Sequence, residues 1–174
     1  MLQAPSDTAE IPAPRWQGLA PVYDTQARWL LLGSFPGVAS LKAQQYYSHP
    51  RNQFWALLGH VLAVDLLSQD YPVRLNMLCQ RRVAVWDVIA ETARQGSLDS
   101  AIRAPEASDL KSLLAQLPAL HTIAFNGGTA ARIGARALGG DSERYRILTL
   151  PSSSPAYTMP FDQKLQAWQR LQEE

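Results

Sequence analysis

The sequence predicts an α/β protein of three layers, a four-stranded parallel sheet covered by helices on both faces. Short apolar runs at 28–32, 83–88, 121–125 and 146–150 have the length and composition of buried strands. Helical segments stand between them, and that alternation argues for a parallel sheet with both faces covered. Each run also ends in turn-forming or polar residues, and in a parallel sheet those ends meet on one side.

The elements follow in order. Arg28 to Leu32 is the first strand, and Gly33 with Pro36-Gly37 closes it in a tight turn. Residues 52–63 form a helix with Phe54, Trp55, Leu57, Leu58, Val61 and Leu62 on one broad face. Asp70-Tyr-Pro72 starts a short helix, with proline near its first turn. Val83 to Val88 is the second strand. Ser108 caps a helix whose Leu110, Leu113, Leu114 and Leu117 share a face, and Pro118 stops it. His121 to Phe125 is the third strand. Gly127-Gly128 leads into an alanine-rich helix that runs to Leu138 and closes on Gly139-Gly140. Arg146 to Leu150 is the fourth strand, and Asp162 caps a last helix carrying Leu165, Trp168 and Leu171. Residues 1–14 are small, polar and rich in proline and read as a flexible arm; residues 15–174 read as a single domain.

Composition limits the function. Hydrophobic residues make up 47% and charged residues 18%, which suits a compact chain rather than a disordered one. The apolar runs fall far short of the ~20 residues of a membrane span, and the chain opens on no signal peptide, so a cytoplasmic protein is expected. A single cysteine, Cys79, excludes a disulfide framework or a cysteine-held cluster within one chain. His49, His60 and His121 lack the spacing of a zinc site, so neither metal nor cofactor is expected. A net charge of +1 is not that of a strongly basic nucleic-acid coat protein, but it leaves room for a local basic face. Of the sixteen cations thirteen are arginine, the one better suited to bidentate phosphate contacts.

Four strand ends carry candidate chemistry: Gly33-Ser-Phe-Pro-Gly37 with the loop beyond it, Trp86-Asp87-Val88, Asn126-Gly127-Gly128 and Pro151-Ser-Ser-Ser-Pro155. The first loop packs Tyr46, Tyr47, His49, Arg51 and Asn52 into seven residues. Such a set can stack on a flat ring, hydrogen-bond its edge and hold a water. A serine hydrolase is excluded on local grounds, because no GxSxG occurs and no histidine sits in an obvious relay.

Together with Tyr47-Ser-His-Pro-Arg-Asn-Gln-Phe-Trp55, Gly96-Ser-Leu-Asp99, Phe125-Asn-Gly127, Pro151-Ser-Ser-Ser-Pro-Ala156 and the opening Gly18-Leu-Ala-Pro-Val-Tyr-Asp24, these segments resemble the uracil-DNA glycosylase superfamily. Within it they are most similar to the hypoxanthine-DNA (DNA-deoxyinosine) glycosylase family. The likeness covers about residues 15–172, with the motifs in order. It implies a monomeric, monofunctional DNA-repair enzyme that hydrolyses the N-glycosidic bond of a deaminated base, most simply hypoxanthine, without metal or cofactor. Two alternatives stay open: a uracil glycosylase with unusual catalytic groups, and an inactive DNA-binding module of the same fold. The chain departs from relatives in two places. Phe35 stands where the mismatch-specific and single-strand-selective branches carry a catalytic Asn and the classical enzyme an Asp, and Leu150 where those branches carry His or Asn before the last Pro-Ser, a loss the deoxyinosine family shares.

The resemblance assigns the candidate roles. Tyr47 matches the stacking aromatic, and Asn52 the residue that places water in the deoxyinosine family. The competing reading of Asn52 is a helix cap. Asp87 lies where relatives present a polar group to the base or the water; the alternative is a buried Asp tied to turn amides. The backbone amides of Ser34 and Phe35 can donate to a base carbonyl, and Asn126 either shapes the pocket or makes a plain turn. His49, Arg51, Ser152, Ser153 and Ser154 are candidate phosphate contacts. Tyr157, Met159 and Phe161 are candidates for the wedge that fills the gap of a flipped nucleotide, or else they staple the last helix.

Overall fold

The computed structural model describes residues 12–173. The central sheet consists of Trp29–Gly33 (β2), Val83–Asp87 (β3), Thr122–Asn126 (β6) and Arg146–Leu150 (β7), numbered after a first short strand, Arg15–Gln17 (β1). Its order is β3-β2-β6-β7, and every pairing is parallel. All four expected strands are present within a residue of their expected ends.

Alternate residues of each strand face opposite layers. Leu31, Val83, Val85, Ala124 and Leu148 pack with Phe54–Leu62 (α2), Tyr71–Gln80 (α3) and Phe161–Trp168 (α6), where Phe54, Trp55, Leu57, Leu58 and Trp168 are buried. Leu30, Leu32, Ala84, Ile123 and Phe125 pack the other way, against Leu110–Ala115 (α4) and Gly128–Leu138 (α5). Each fully buried large side chain contributes about 1.5–3 kcal/mol, so the two apolar layers supply the main driving force. Gly134 shows how close α5 lies: a Cβ there would sit 2.1 Å from Phe125 Cε1.

Two features were not legible. A helical turn, Val38–Ala43 (α1), follows the Pro36-Gly37 turn, and only Ser40 within it is buried, so no apolar stripe marks it. A second, antiparallel sheet joins β1 to Ile89–Ala93 (β4) and Arg103–Ala107 (β5). Strand β5 is exposed at every position and contains Pro105, so the alternation that reveals a half-buried strand is missing.

Some expected caps need correction. Helix α4 is capped by Asp109, whose Oδ1 accepts from Ser112 N at 3.1 Å. Ser108 instead donates its hydroxyl to the Asp87 carbonyl at 2.6 Å. Helix α6 starts after Pro160 without a side-chain cap, and Asp162 lies in its first turn, where its charge complements the helix dipole. The third helix, expected to be short, has ten residues. Residues 1–11 of the expected arm lie outside the described residues; Pro14 already bonds to the small sheet, its carbonyl accepting from Arg94 N at 3.3 Å. Among the described residues no helix is long and apolar enough to cross a membrane.

Candidate active site

Parallel strands bring four carboxyl ends to one edge, and a cavity of about 710 Å³ opens there. Its wall draws on all four: Gly33 and Ser34 after β2, Asp87 at the end of β3, Asn126 at the end of β6, and Ser152 to Ser154 after β7. The loop before α2 adds Tyr47, His49, Arg51 and Asn52, and the turn before β5 adds Asp99. Of the residues given candidate roles in the sequence, all line this cavity except the wedge alternatives Met159 and Phe161.

Tyr47 is held on three sides. Its ring stacks on Phe54 with centroids 3.8 Å apart and planes 12° off parallel. Its hydroxyl accepts from Asn126 Nδ2 at 3.2 Å. Its backbone is left-handed, with φ +52°, a conformation that a bulky residue holds only where its surroundings enforce it. Gly33 makes room for this arrangement: a Cβ there would lie 2.8 Å from the Tyr47 hydroxyl and 2.5 Å from Asp87 Oδ1. Tyr46, by contrast, is buried and donates its hydroxyl to the Ala20 carbonyl at 2.7 Å, so it packs rather than faces a ligand.

Asp87 is buried, and it carries a carboxylate oxygen, Oδ2, that no donor among the described residues reaches. Burial pushes its carboxyl up to about 7, the nearby Asp99 adds to the rise, and Arg94 opposes it. The turn-amide alternative therefore does not hold: the amides beside it, Val88 N and Ile89 N, donate to the Gly33 and Ser34 carbonyls.

Asn52 lies two residues before α2, and its Oδ1 accepts from Phe54 N at 2.9 Å. The cap position itself belongs to Gln53, whose side chain makes no capping bond. Asn52 thus steadies the helix start with its oxygen and leaves its amide nitrogen for the cavity it lines. Among the described residues no backbone or side-chain acceptor takes the amides of Ser34 or Phe35. The Phe35 ring turns into the core, beneath the Arg94 guanidinium at 5.0 Å from its centroid.

The serines divide. Ser153 is fully buried: its amide donates to Asn126 Oδ1 at 2.9 Å and its hydroxyl accepts from Asn126 Nδ2 at 2.8 Å. This pair replaces the phosphate contact expected of Ser153 and commits Asn126 to holding the loop. Ser152 and Ser154 are half-buried, with hydroxyls that accept from Ser154 N and Ala156 N. Ser153→Ala is accordingly expected to destabilise the fold by about 1–3 kcal/mol, through the unpaired Asn126 donor. Denaturant unfolding measures that cost, and DNA affinity per folded molecule should change little.

The exposed rim carries His49 and Arg51, with Arg51 N donating to His49 Nδ1 at 3.1 Å, and Tyr157, which is 44% exposed. Phe161 instead meets His60 edge-on, the packing alternative among the wedge candidates. Three supporting residues escaped sequence reasoning. Asp99 accepts from the Ser34 hydroxyl at 2.7 Å and so ties the small sheet to the first loop; its motif was visible but not its role. Arg94 is buried and donates to the Pro36 carbonyl. Lys164 is buried under the serine loop, with Nζ 3.4 Å from the Ser154 carbonyl and 5.5 Å from the Tyr157 ring centroid. No local pattern marks a buried Arg or Lys. Among the described residues no three His, Cys, Asp or Glu side chains gather as a metal site.

Comparison with known proteins agrees with this geometry. Residues 20–172 match the model of the Uracil DNA glycosylase superfamily. The chain is 35% identical over 154 residues to a hypoxanthine DNA glycosylase of Methanosarcina barkeri, covering 87% of this chain and 94% of the relative. It is 37% identical over 142 residues to one of Methanosarcina acetivorans, covering 80% and 87%. The solution NMR structure of a Methanosarcina acetivorans protein proposed to be a uracil DNA glycosylase superposes with a TM-score of 0.79 at 34% identity, over 91% of this chain and 96% of that one. A family match over most of the chain, two relatives above one-third identity and the shared sheet together place this protein in the uracil DNA glycosylase superfamily.

Proposed function

We propose that this protein is a monofunctional DNA N-glycosylase that removes hypoxanthine from deoxyinosine in DNA. The observation that carries the proposal is the unpartnered Asp87 Oδ2 in a cavity that also holds the stacked Tyr47 ring. A base inside a duplex is out of reach, so the nucleotide must be flipped out, at a cost of a few kcal/mol that is least for a mismatched base. Tyr47 offers it a flat, pre-positioned aromatic surface. Hypoxanthine presents acceptors at O6 and N7, and the protonated Asp87 carboxyl and the free Ser34 and Phe35 amides are donors that suit them. Adenine carries an amino donor in place of O6 and suits them less.

In the reaction the C1′–N9 bond breaks and its electron pair leaves with the base, while a water oxygen bonds to C1′. The water gives up one proton and the departing base gains one. Donors preset toward the base count most in a site that excludes bulk water. Asn52 places the water, Arg51, His49, Ser152 and Ser154 meet phosphates, and Tyr157 fills the gap in the duplex. The names of the Methanosarcina relatives support hypoxanthine as the base.

The test is a panel of oligonucleotides holding one deoxyinosine, deoxyuridine or deoxyxanthosine, incubated with protein and then cleaved at abasic sites by alkali. Strand scission with deoxyinosine above the others is expected. The rate should not change in EDTA, because one cysteine and three scattered histidines offer no metal-ligand set. Binding without scission would point to an inactive module, and preference for deoxyuridine to a uracil enzyme.

A further inference from the structure

Beside the main cavity lies a second hollow of about 510 Å³, and the two share Asp99, Ser100 and Thr129. Arg103, Arg132 and Arg136 line it, with Ile102 and Ile133 between them. Arg132 and Arg136 are exposed and stand one turn apart on α5, a spacing at which like charges repel. Among the described residues neither has a counter-ion. The ion pairs among the described residues join Arg15 to Glu91 and Glu106, and Arg146 to Glu173. Arg103 uses Nη1 on the carbonyls of Ser100 and Ile102 and is otherwise uncommitted. On a chain with a net charge of only +1, this is a local concentration of positive charge rather than general basicity.

We propose that this hollow is a second DNA contact, gripping the phosphodiester backbone of the strand where it continues beyond the flipped nucleotide. The inference rests on the glycosylase reading above. A strand whose nucleotide enters the cavity must leave over a neighbouring surface, and this one is continuous with the cavity mouth. Arginine forks pair with phosphate oxygens bidentately. Residues four apart on a helix stand about 6 Å apart along its axis, which sets two forks side by side along a strand. A backbone so held adds affinity without reading sequence.

The experiment compares the full chain with its Arg132→Gln/Arg136→Gln variant. Binding to a deoxyinosine duplex is followed by fluorescence anisotropy at several salt concentrations, alongside single-turnover cleavage at saturating protein. Arg144→Gln is the control, because Arg144 precedes β7 and so lies at the opposite end of the sheet. Loss of two phosphate contacts should lower the slope of log K against log salt by about 1.8. The cleavage rate at saturation and the melting temperature should stay as in the parent, and the control should keep the parental slope. An unchanged slope in the double variant, with normal cleavage, overturns the groove and leaves the glycosylase reading standing. A parent that binds DNA but forms no abasic site overturns that reading, and the slope still decides the groove.

Discussion

Asn52→Ala should lower single-turnover cleavage of a deoxyinosine duplex at least about tenfold, or roughly 1.4 kcal/mol of barrier. With Phe35 buried in one apolar layer and Leu150, at the end of β7, buried in the other, another polar group must place the attacking water. Asn52 lines the cavity with an amide whose oxygen is already fixed by Phe54 N. That bond is also the confound, since losing such an oxygen costs about 1 kcal/mol of stability. Asn52→Asp and Asn52→Ser each keep an oxygen for Phe54 N but lose the amide nitrogen. Variants that melt like the parent yet cleave slowly establish the catalytic role. Full-rate cleavage by folded Asn52→Ala would reduce the residue to a helix-start brace.

The contrast between what the sequence revealed and what it hid has a physical basis. The four parallel strands were legible because strands covered on both faces read as apolar runs, as in Trp29-Leu-Leu-Leu32. Their polar ends then located the cavity, since parallel strands leave no choice about which ends converge. The small sheet was hidden because its strands carry little apolar surface: β5 reads Arg-Ala-Pro-Glu-Ala and is exposed throughout. Side-chain direction was hidden too. Ser152, Ser153 and Ser154 look alike in sequence, yet only the middle one turns inward to Asn126. Asn126 read as a pocket residue or, rather more, as a turn signal, and its bonds show a brace whose amide also meets the Tyr47 hydroxyl. Asp87 was named from its place at a strand end, but the lack of any donor to its Oδ2 among the described residues is a property of the packed site alone.

That unpartnered oxygen leads to the other large effect. The parent's cleavage rate should fall as pH rises through about 7, because the Asp87 carboxyl loses the proton it would donate to the base. Asp87→Asn keeps a donor without an ionisable proton, so its rate should stay level across that range and exceed the parent's at pH 8. Asp87→Ala, with no donor, should lose about ten- to a hundredfold, the scale of one hydrogen bond to a group gaining charge. Stability gives an independent readout. Between the ordinary 3.8 and about 7 the folded chain keeps a proton that the unfolded chain has lost. The folded state therefore binds more protons, and its stability declines as pH rises across this window and levels off above it. At about 1.36 kcal/mol per pH unit the decline reaches at most ~4 kcal/mol. Asp87→Asn should remove that decline and unfold at higher denaturant than the parent at pH 8. The opposite result is equally definite: a parental rate that climbs through pH 7, with Asp87→Asn inactive though stable, would make Asp87 an ionised base acting on water rather than a donor to the purine.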